Sequence, residues 1–164
     1  MINSSMFLEK YLQNYRFKMV KPYLVGDVLD FGGNEGELKK FVIGKYTVVN
    51  YDHSKLNHLQ VDTIVSLAVI EHLEVNDVYN IFQKFAKILK KNGRIFITTP
   101  TKFAKPILDT LACLHIVDKK NIEEHKHYWD KSDIVKLAKK TGFMILKYQK
   151  FQIGFNQMAI FAHK

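Results

Sequence analysis

Residues 28–36 have the types and the spacing best suited to binding a ligand. Two apolar residues lead into Asp30, and a turn containing Gly32, Gly33 and Gly36 follows. In α/β sheets such a turn presents backbone N–H groups and the start of a helix to a nucleotide-like ligand. The residues after the turn are accordingly expected to form a short helix. A plain strand-to-helix turn would also use glycine, so this pattern has a purely structural alternative.

Asp52 strengthens the ligand-binding interpretation. It follows a β-rich run over residues 45–51 and stands twenty residues beyond Gly32. An acidic residue at the end of the second strand of such a unit accepts hydrogen bonds from ribose hydroxyl groups. The dinucleotide pattern G-x-G-x-x-G and the phosphate-binding pattern G-x-x-x-x-G-K-[ST] are both absent from the sequence. The two features together therefore predict a nucleoside site of another kind.

Taken in order along the chain, these motifs resemble the class I S-adenosylmethionine-dependent methyltransferases, in their small-molecule, type 11-like branch. The first motif of that family is hydrophobic-Leu-Asp-x-Gly-x-Gly-x-Gly, and Asn34 stands here at its middle glycine. Asn is among the few residues that tolerate a left-handed backbone. The resemblance covers residues 24–164. Later segments that match the fourth strand, the fifth strand and the last helix, in that order, are residues 61–73, 91–100 and 125–143.

The resemblance implies an α/β fold with a Rossmann-like, mostly parallel twisted sheet, helices on both faces and a C-terminal antiparallel hairpin. It also implies that S-adenosylmethionine binds across the carboxyl ends of the strands. The residues to which it assigns cofactor binding are Asp30, Gly32, Gly33, Asn34, Gly36, Asp52, His53, Ser66, Leu67 and Ala68.

The chain is short between its second and next predicted strands. Only residues 53–61 separate Asp52 from Asp62, whereas a helix followed by a strand needs about 20 residues or more. The third-strand unit of the family is therefore predicted to be shortened or missing. The acidic residue that the family places near the adenine amino group normally follows that strand, so its equivalent here is either missing or replaced by Gln60 or Asp62.

Glu71 and His72 are the first candidates for the acceptor side of the site. In related methyltransferases a Glu-x-x-Glu-His arrangement, with a later His, can bind a divalent metal that orients an acceptor hydroxyl. Ala68 stands at the first Glu here, which leaves Glu71, His72 and either His125 or His127 for an open three-ligand site. The alternative is that Glu71 and His72 line the cleft, or cap the next helix, without a metal. No residue is assigned as a metal ligand from the sequence.

His125 and His127 are the second pair of candidate catalytic residues. Either imidazole could act as a general base near neutral pH. We expect both to face the same cleft as Glu71 and His72, because all four are predicted at the carboxyl edge of the sheet. The alternative is a loop in which the neighbouring aromatic side chains pack under a lid and the histidines are solvated.

The chain is predicted to be a single domain over residues 1–164. An N-terminal helix, within residues 1–23 and ending near Val20, either lies across the cofactor cleft, as is common in the family, or only covers the sheet. Residues 76–91 have the spacing of a helix with one buried stripe. Residues 101–129 have no evident scaffold role and are predicted to form a substrate-side insertion. A homodimer contact through that insertion is the competing interpretation.

Composition and charge narrow the class of protein. The single Cys113 excludes an internal disulfide and fits a reducing, cytoplasmic compartment. No apolar run is long enough to span a membrane, and no signal-peptide pattern is present. The net charge is +9, but only Arg16 and Arg94 are arginines among 25 basic residues. Because base and phosphate recognition favour Arg, scattered lysines favour a solvated exterior over a nucleic-acid surface.

The sequence therefore predicts an S-adenosylmethionine-dependent methyltransferase, of the EC 2.1.1 type. It is expected to move a methyl group to an O or N atom of a small-molecule or sugar-like acceptor. Two alternatives remain open at this point. One is a cofactor-binding partner subunit that has lost catalysis, and the other is a nucleic-acid methyltransferase.

Overall fold

The computed structural model describes residues 4–50, 52–113 and 122–164. These residues form a six-stranded sheet of order β2-β1-β3-β4-β6-β5. The strands are β1 (Val28–Phe31), β2 (Tyr46–Val49), β3 (Val61–Leu67), β4 (Leu89–Pro100), β5 (Phe143–Phe151) and β6 (Asn156–His163). The first four are parallel, whereas β6 is antiparallel to both β4 and β5. The predicted α/β fold, with a mostly parallel sheet and a C-terminal hairpin, is confirmed.

Helices pack on both faces of this sheet. They are α1 (Ser4–Val20), α2 (Val75–Ile88), α3 (Lys105–Cys113) and α4 (Lys131–Thr141). Successive strand residues point to opposite faces, so Ile64 packs in a cluster with residues of α2 and α4, while Val65 packs in a second cluster with residues of α1. Strands that are buried on both faces explain the near-continuous apolar runs of the sequence. None of the described helices is long and apolar enough to cross a membrane.

The edge strand β2 confirms that the third-strand unit is missing. A 3₁₀ helix, His53–His58, follows β2 and leads directly to β3, which pairs with β1 on its other side. Leu56 of this short helix is fully buried against the sheet. Within the described residues no strand lies beyond β2. Six residues of 3₁₀ helix thus replace the helix and strand that the family usually has.

Helix α2 is shorter than predicted. It ends at Ile88, and the chain enters β4 at Leu89 instead of continuing as helix to Lys91. The register between β3 and β4 shifts here, so that Val61 pairs with Leu89 and Thr63 with Arg94. The side chain of Lys90 donates a hydrogen bond of 2.7 Å to Asp62, which holds the irregular segment against β3.

The segment after β4 is described only in part. Helix α3 begins near Pro106, as expected, but residues 114–121 of the predicted 101–129 insertion lie outside the described residues. Asp130 caps α4 by accepting a hydrogen bond from the Asp133 N–H at 3.0 Å, and the Asp133 side chain accepts one from the Asp130 N–H. The last helix is therefore fixed at its start, beside the histidine pair.

Candidate functional site

The carboxyl ends of β1, β3 and β4 open into one cavity of about 940 Å³. Helix α1 forms one wall, and α3 together with residues 122–125 forms another. Ligands of open α/β sheets bind at this edge of the strands. The cavity is large enough for a cofactor and a small acceptor together, because ligand pockets commonly measure about 300–1,000 Å³.

The glycine turn forms the floor of one end of this cavity. Asp30 is buried beneath it and accepts a hydrogen bond from the Tyr46 hydroxyl. A Cβ atom at Gly33 would lie 2.2 Å from the carboxyl carbon of Asp30, so only glycine fits there. Burial raises the pKa of Asp30 to about 6, and the Tyr46 hydrogen bond opposes that shift. The turn is thus built closely around a buried carboxyl group.

Asn34 is held by an amide pair that the sequence did not suggest. Its φ is 47°, in the left-handed region where the family has glycine. The Asn34 N–H donates to Asn50 Oδ1 at 3.1 Å, and Asn50 Nδ2 donates back to the Asn34 carbonyl at 3.1 Å. Asn50 also lines the cavity. The sequence feature that could have identified Asn50 is its position as the first residue after β2.

Asp52, just after β2, has a structural role in addition to the ribose binding that was predicted for it. Asp52 is exposed and caps the following 3₁₀ helix, accepting hydrogen bonds from the N–H of Ser54 at 3.1 Å and from its hydroxyl at 2.5 Å. Asp52 is not among the residues that line the cavity. For His53 only the backbone is described. Cofactor binding by these two residues therefore stays a prediction.

Of the other predicted cofactor residues, some line the cavity and some do not. Leu67 and Ala68 line it, and Ala68 has a left-handed φ of 56° at the end of β3. Non-glycine residues rarely adopt that conformation, and such strain is concentrated at functional sites. Ser66 is fully buried inside β3, and Gly36 is the N-cap residue of the short 3₁₀ helix Glu37–Phe41. Neither reaches the cavity surface.

Gln60 and Asp62 do not replace the missing adenine-side acid. Both lie at the amino end of β3, at the edge of the sheet opposite the cavity. Gln60 donates to the Lys87 carbonyl at 3.2 Å, and Asp62 accepts from Lys90. Of the two alternatives, replacement by Gln60 or Asp62 is therefore wrong, because residues at the start of a parallel strand cannot reach the edge where the strand ends.

Glu71 is the most unusual polar residue in the cavity wall. It is 1% exposed, yet its Oε2 atom has no hydrogen-bond partner among the described residues. Burial raises the pKa of its carboxyl group to about 7, and its own backbone N–H, the nearby Thr99 hydroxyl and, least of the three, the charge of Arg16 oppose that shift. A buried acid with an unsatisfied oxygen in the wall of a cavity is suited to accept a proton or a cation from a ligand.

His72 and His125 stand beside Glu71. Their rings are 4.7 Å apart between centroids in an edge-to-face arrangement. Glu71, His72 and His125 each have one side-chain atom that could ligate a metal ion, and these three atoms lie within 4.8 Å of one another. Burial lowers the pKa of His72, so this imidazole favours its neutral form. A hydrogen bond of 3.0 Å between His125 Nδ1 and the Tyr128 hydroxyl fixes the orientation of the second ring.

His127 does not join this cluster, contrary to expectation. The N–H groups of Lys126 and His127 both donate to the Glu71 carbonyl, at 2.8 and 3.2 Å. The chain therefore turns at this point and sends the two imidazoles in different directions. His127 lies 3.4 Å from Asp133 of α4 and packs against Trp129, outside the cavity lining.

Helix α1 fulfils both roles that were considered for it. Phe17 and Val20 are buried against the sheet, whereas Gln13 and Arg16 line the cavity. Gln13 donates a hydrogen bond to Glu37, next to the glycine turn. These cavity residues were missed because a helix pattern shows which face is apolar but not which site its polar residues approach.

Comparisons with known proteins agree with this architecture. A family model described as a methyltransferase domain matches residues 7–148. Among solved structures, the pyocyanin biosynthetic protein PhzM superposes with a TM-score of 0.70 at 12% identity, over 93% of this chain and 55% of that one. Mitomycin 7-O-methyltransferase MmcR gives 0.64 at 13% identity, over 85% and 49%. No curated protein sequence matches the chain.

A third structure has a length closer to that of this chain. Magnesium protoporphyrin IX methyltransferase ChlM from Synechocystis PCC 6803, with bound SAH, gives a TM-score of 0.61 at 13% identity. The match covers 98% of this chain and 86% of that one. By contrast, the chain spans about half the length of MmcR and PhzM. At these identities the likeness establishes the fold.

Proposed function

The chain belongs to the class I S-adenosylmethionine-dependent methyltransferase family, and we propose that it moves a methyl group from S-adenosylmethionine to a hydroxyl oxygen of a small-molecule acceptor. The observation that carries the proposal is Glu71, a buried acid in the cavity wall that has a side-chain oxygen within 4.8 Å of ring nitrogens of His72 and His125. It belongs to the same cavity wall as the glycine turn. Methyl transfer to a hydroxyl needs a base at that position, whereas a protein that only holds the cofactor does not.

The cavity divides into a cofactor end and an acceptor end. Gly32, Gly33, Asn34, Leu67 and Ala68 line the part of the cavity that is assigned to the cofactor. The bound cofactor supplies a methyl group that its sulfonium already makes electrophilic. The protein therefore has to align the acceptor with that methyl group and remove one proton.

Glu71 is assigned the role of general base. With a pKa of about 7, its carboxylate is present at neutral pH and is basic enough to take the proton of the acceptor hydroxyl as the oxygen bonds to the methyl group. Neutral His72, together with His125, is assigned to hold that hydroxyl by hydrogen bonds. Apolar Leu108, Ile122 and Phe155 line the outer part of the cavity and are assigned to the body of the acceptor.

The cofactor assignment is tested by thermal unfolding. S-adenosylhomocysteine at about 100 times its dissociation constant contributes about 2.7 kcal/mol, so the melting temperature is expected to rise by roughly 5–10 °C. NAD and ATP serve as controls and should give no comparable shift. A larger shift with NAD, and none with S-adenosylhomocysteine, would contradict the assignment. Release of S-adenosylhomocysteine with a panel of hydroxylated acceptors then separates an enzyme from an inactive partner subunit.

Asp52→Ala is expected to weaken cofactor binding by about 10- to 100-fold. The reason is that charge-assisted hydrogen bonds to the ribose contribute roughly 1.5–3 kcal/mol each. Calorimetry with S-adenosylhomocysteine measures the effect. Ser54→Ala is the matched control, since it removes a partner of the same cap but leaves the carboxylate in place. If Asp52→Ala and Ser54→Ala bind S-adenosylhomocysteine with equal affinity, Asp52 only caps the 3₁₀ helix and does not bind the ribose.

The cluster of Glu71, His72 and His125 also fits a divalent metal ion. A buried carboxylate oxygen without a partner, next to two imidazoles, is a donor set that suits Zn²⁺ or Fe²⁺. The Tyr128 hydrogen bond to His125 Nδ1 is the kind of contact that orients a ligating histidine. In that arrangement the metal would occupy the Glu71 carboxylate and would take the place of the general base, because it would polarise the acceptor hydroxyl and lower its pKa.

Metal binding is expected to be measurable apart from activity. Co²⁺, whose absorption reports its ligands, should bind to the wild type and to His127→Ala but not to His125→Ala. His127 is the matched control, because it lies outside the cluster on the same loop. A chelator should then lower turnover, and a divalent ion should restore it. Equal Co²⁺ binding in both variants would contradict the metal site.

A further inference from the structure

Gln157 is a buried polar residue in an otherwise apolar strand. It stands near the start of β6 and is 1% exposed, and residues 158–162, which follow it, are all buried and apolar. A buried amide needs hydrogen-bond partners, whereas an apolar side chain of the same size would fill this space without them. The partners of the Gln157 amide therefore indicate its role.

The amide connects the sheet to the loop that carries the histidine pair. Gln157 Nε2 donates a hydrogen bond of 2.6 Å to the Trp129 carbonyl, and Gln157 Oε1 accepts one of 2.8 Å from the Tyr148 hydroxyl of β5. Nε2 also lies 3.5 Å from the Pro100 carbonyl, at the end of β4. Both polar atoms of the side chain are therefore engaged. We call Gln157, Tyr148 and Trp129 the loop clamp.

Trp129 extends the loop clamp to the wall of the cavity. Its side chain is 1% exposed, and its indole N–H donates a hydrogen bond of 3.3 Å to the carbonyl of Ile70, the residue before Glu71. The loop backbone makes two more bonds to the same segment, since the N–H groups of Lys126 and His127 donate to the Glu71 carbonyl. The loop and the segment that carries Glu71 are thus joined into one unit, and the loop clamp attaches that unit to the sheet.

This unit contains the three side chains of the acceptor end. Glu71 and His72 belong to its 3₁₀ helix, and His125 belongs to its loop. Residues 125–128 lie in neither a helix nor a strand, so the path of the loop depends on side-chain contacts and on one backbone bridge at Trp129. The ring of His125 packs edge to face on the ring of His72. A displacement of Trp129 would therefore change the distances among all three side chains.

We propose that Gln157 is a positioning residue for the acceptor end of the cavity. Its amide holds the Trp129 carbonyl and thereby sets Glu71, His72 and His125 at the distances that the reaction needs. Gln157 is not among the residues that line the cavity, so it acts through Trp129 and does not touch the acceptor. Its effect on turnover rests on the proposed methyl transfer, whereas its effect on the placement of the three side chains does not.

Gln157→Met keeps the length of the side chain and removes both of its hydrogen bonds. It should lower kcat by about 10- to 100-fold, as for the loss of a group that orients catalytic side chains, and leave the affinity for S-adenosylhomocysteine within about twofold of the wild type. Tyr148→Phe leaves the bond to Trp129 in place and should lower kcat less. Gln149→Met is the matched control and should leave kcat unchanged, because Gln149 is exposed on β5.

Two spectroscopic signals report on the placement without turnover. Trp129 is the single tryptophan of the chain, so fluorescence reports on it alone, and its emission should move to longer wavelength in folded Gln157→Met. The imidazole proton signals of His72 and His125 should shift as well, because the contact between the two rings changes. Trp129→Phe removes the indole N–H and should shift the same imidazole signals and lower kcat. It tests the loop clamp even if Gln157→Met does not fold.

Unchanged imidazole signals in folded Gln157→Met, or a kcat equal to that of the wild type, would overturn the proposal. So would a parallel loss of kcat and of cofactor affinity, which is the result that general damage to the fold would give. Absence of turnover by the wild type with every acceptor would instead contradict the proposed function. In that case the imidazole signals would still decide whether Gln157 places the three side chains.

Discussion

Glu71→Gln is expected to lower kcat by about 10²–10⁴ while the affinity for S-adenosylhomocysteine stays within about twofold of the wild type. The amide of Gln has the same shape as the carboxyl group but cannot take up the proton of the substrate's hydroxyl group. Because Glu71 lies at the acceptor end, the glycine turn and its buried Asp30 are left intact. Turnover under saturating substrates, together with calorimetry of the cofactor product, measures both quantities.

Two further measurements distinguish this loss from simple damage to the fold. In the wild type, kcat should rise with pH through about 7, since the carboxylate is the active form, and the variant should lose that step. Glu74→Gln is the matched control, because Glu74 is exposed and paired with Lys126 outside the cavity. Full turnover in Glu71→Gln would contradict the general-base role.

The same substitution should raise stability at and above neutral pH. The pKa of Glu71 is raised from 4.5 to about 7 in the folded state, so the native protein binds this proton more tightly than the unfolded chain. The free energy of unfolding should therefore fall by about 3 kcal/mol as the pH rises from below 4.5 to above 7. Glu71→Gln should abolish this loss. Lower activity with higher stability is the opposite of what misfolding would give.

His125→Ala is expected to lower kcat by about 10²–10⁴ with little change in cofactor affinity, as for a lost orienting or proton-transfer group. His127→Ala should leave kcat within about threefold of the wild type. The sequence alone assigned the same effect to both histidines. The structure separates them, because only His125 lines the cavity, whereas His127 faces Asp133.

Tyr128→Phe provides an intermediate test of the same site. It removes the hydroxyl that hydrogen-bonds to His125 Nδ1 at 3.0 Å and leaves the aromatic ring in place. Loss of an orienting partner of this kind typically costs about 10- to 100-fold. A wild-type rate in His125→Ala, or an equal loss in His127→Ala, would be incompatible with the assigned arrangement.

Local patterns in the sequence were sufficient to predict the glycine turn and the separate strands, whereas the arrangement of the sheet was implied by the family resemblance. The count of residues between Asp52 and Asp62, set against the family's pattern, predicted that the third-strand unit is shortened or missing. The end of α2 was predicted too late because Lys90 bonds across to Asp62 on β3, a contact between distant parts of the chain.

Positions within the site were harder to predict than its existence. Asn50 was missed because its role depends on the register of β1 and β2, which brings it beside the glycine turn and within hydrogen-bonding distance of Asn34. His127 was misplaced because residues two apart in an extended loop normally share a side. Here two N–H groups bond to one carbonyl of Glu71, and the chain turns. Contacts of this kind depend on the assembled fold.

The edge position of β2 links the cofactor end of the cavity to local unfolding. This strand has four residues and one neighbour, so it is among the elements expected to open most readily. It also supplies Tyr46, which bonds to Asp30, and it leads into Asn50, which bonds to Asn34. Each opening of the edge therefore releases two supports of the glycine turn at once. If the cofactor binds at this end as proposed, its binding and the closure of β2 are one coupled equilibrium, and S-adenosylhomocysteine should slow backbone hydrogen exchange along β2.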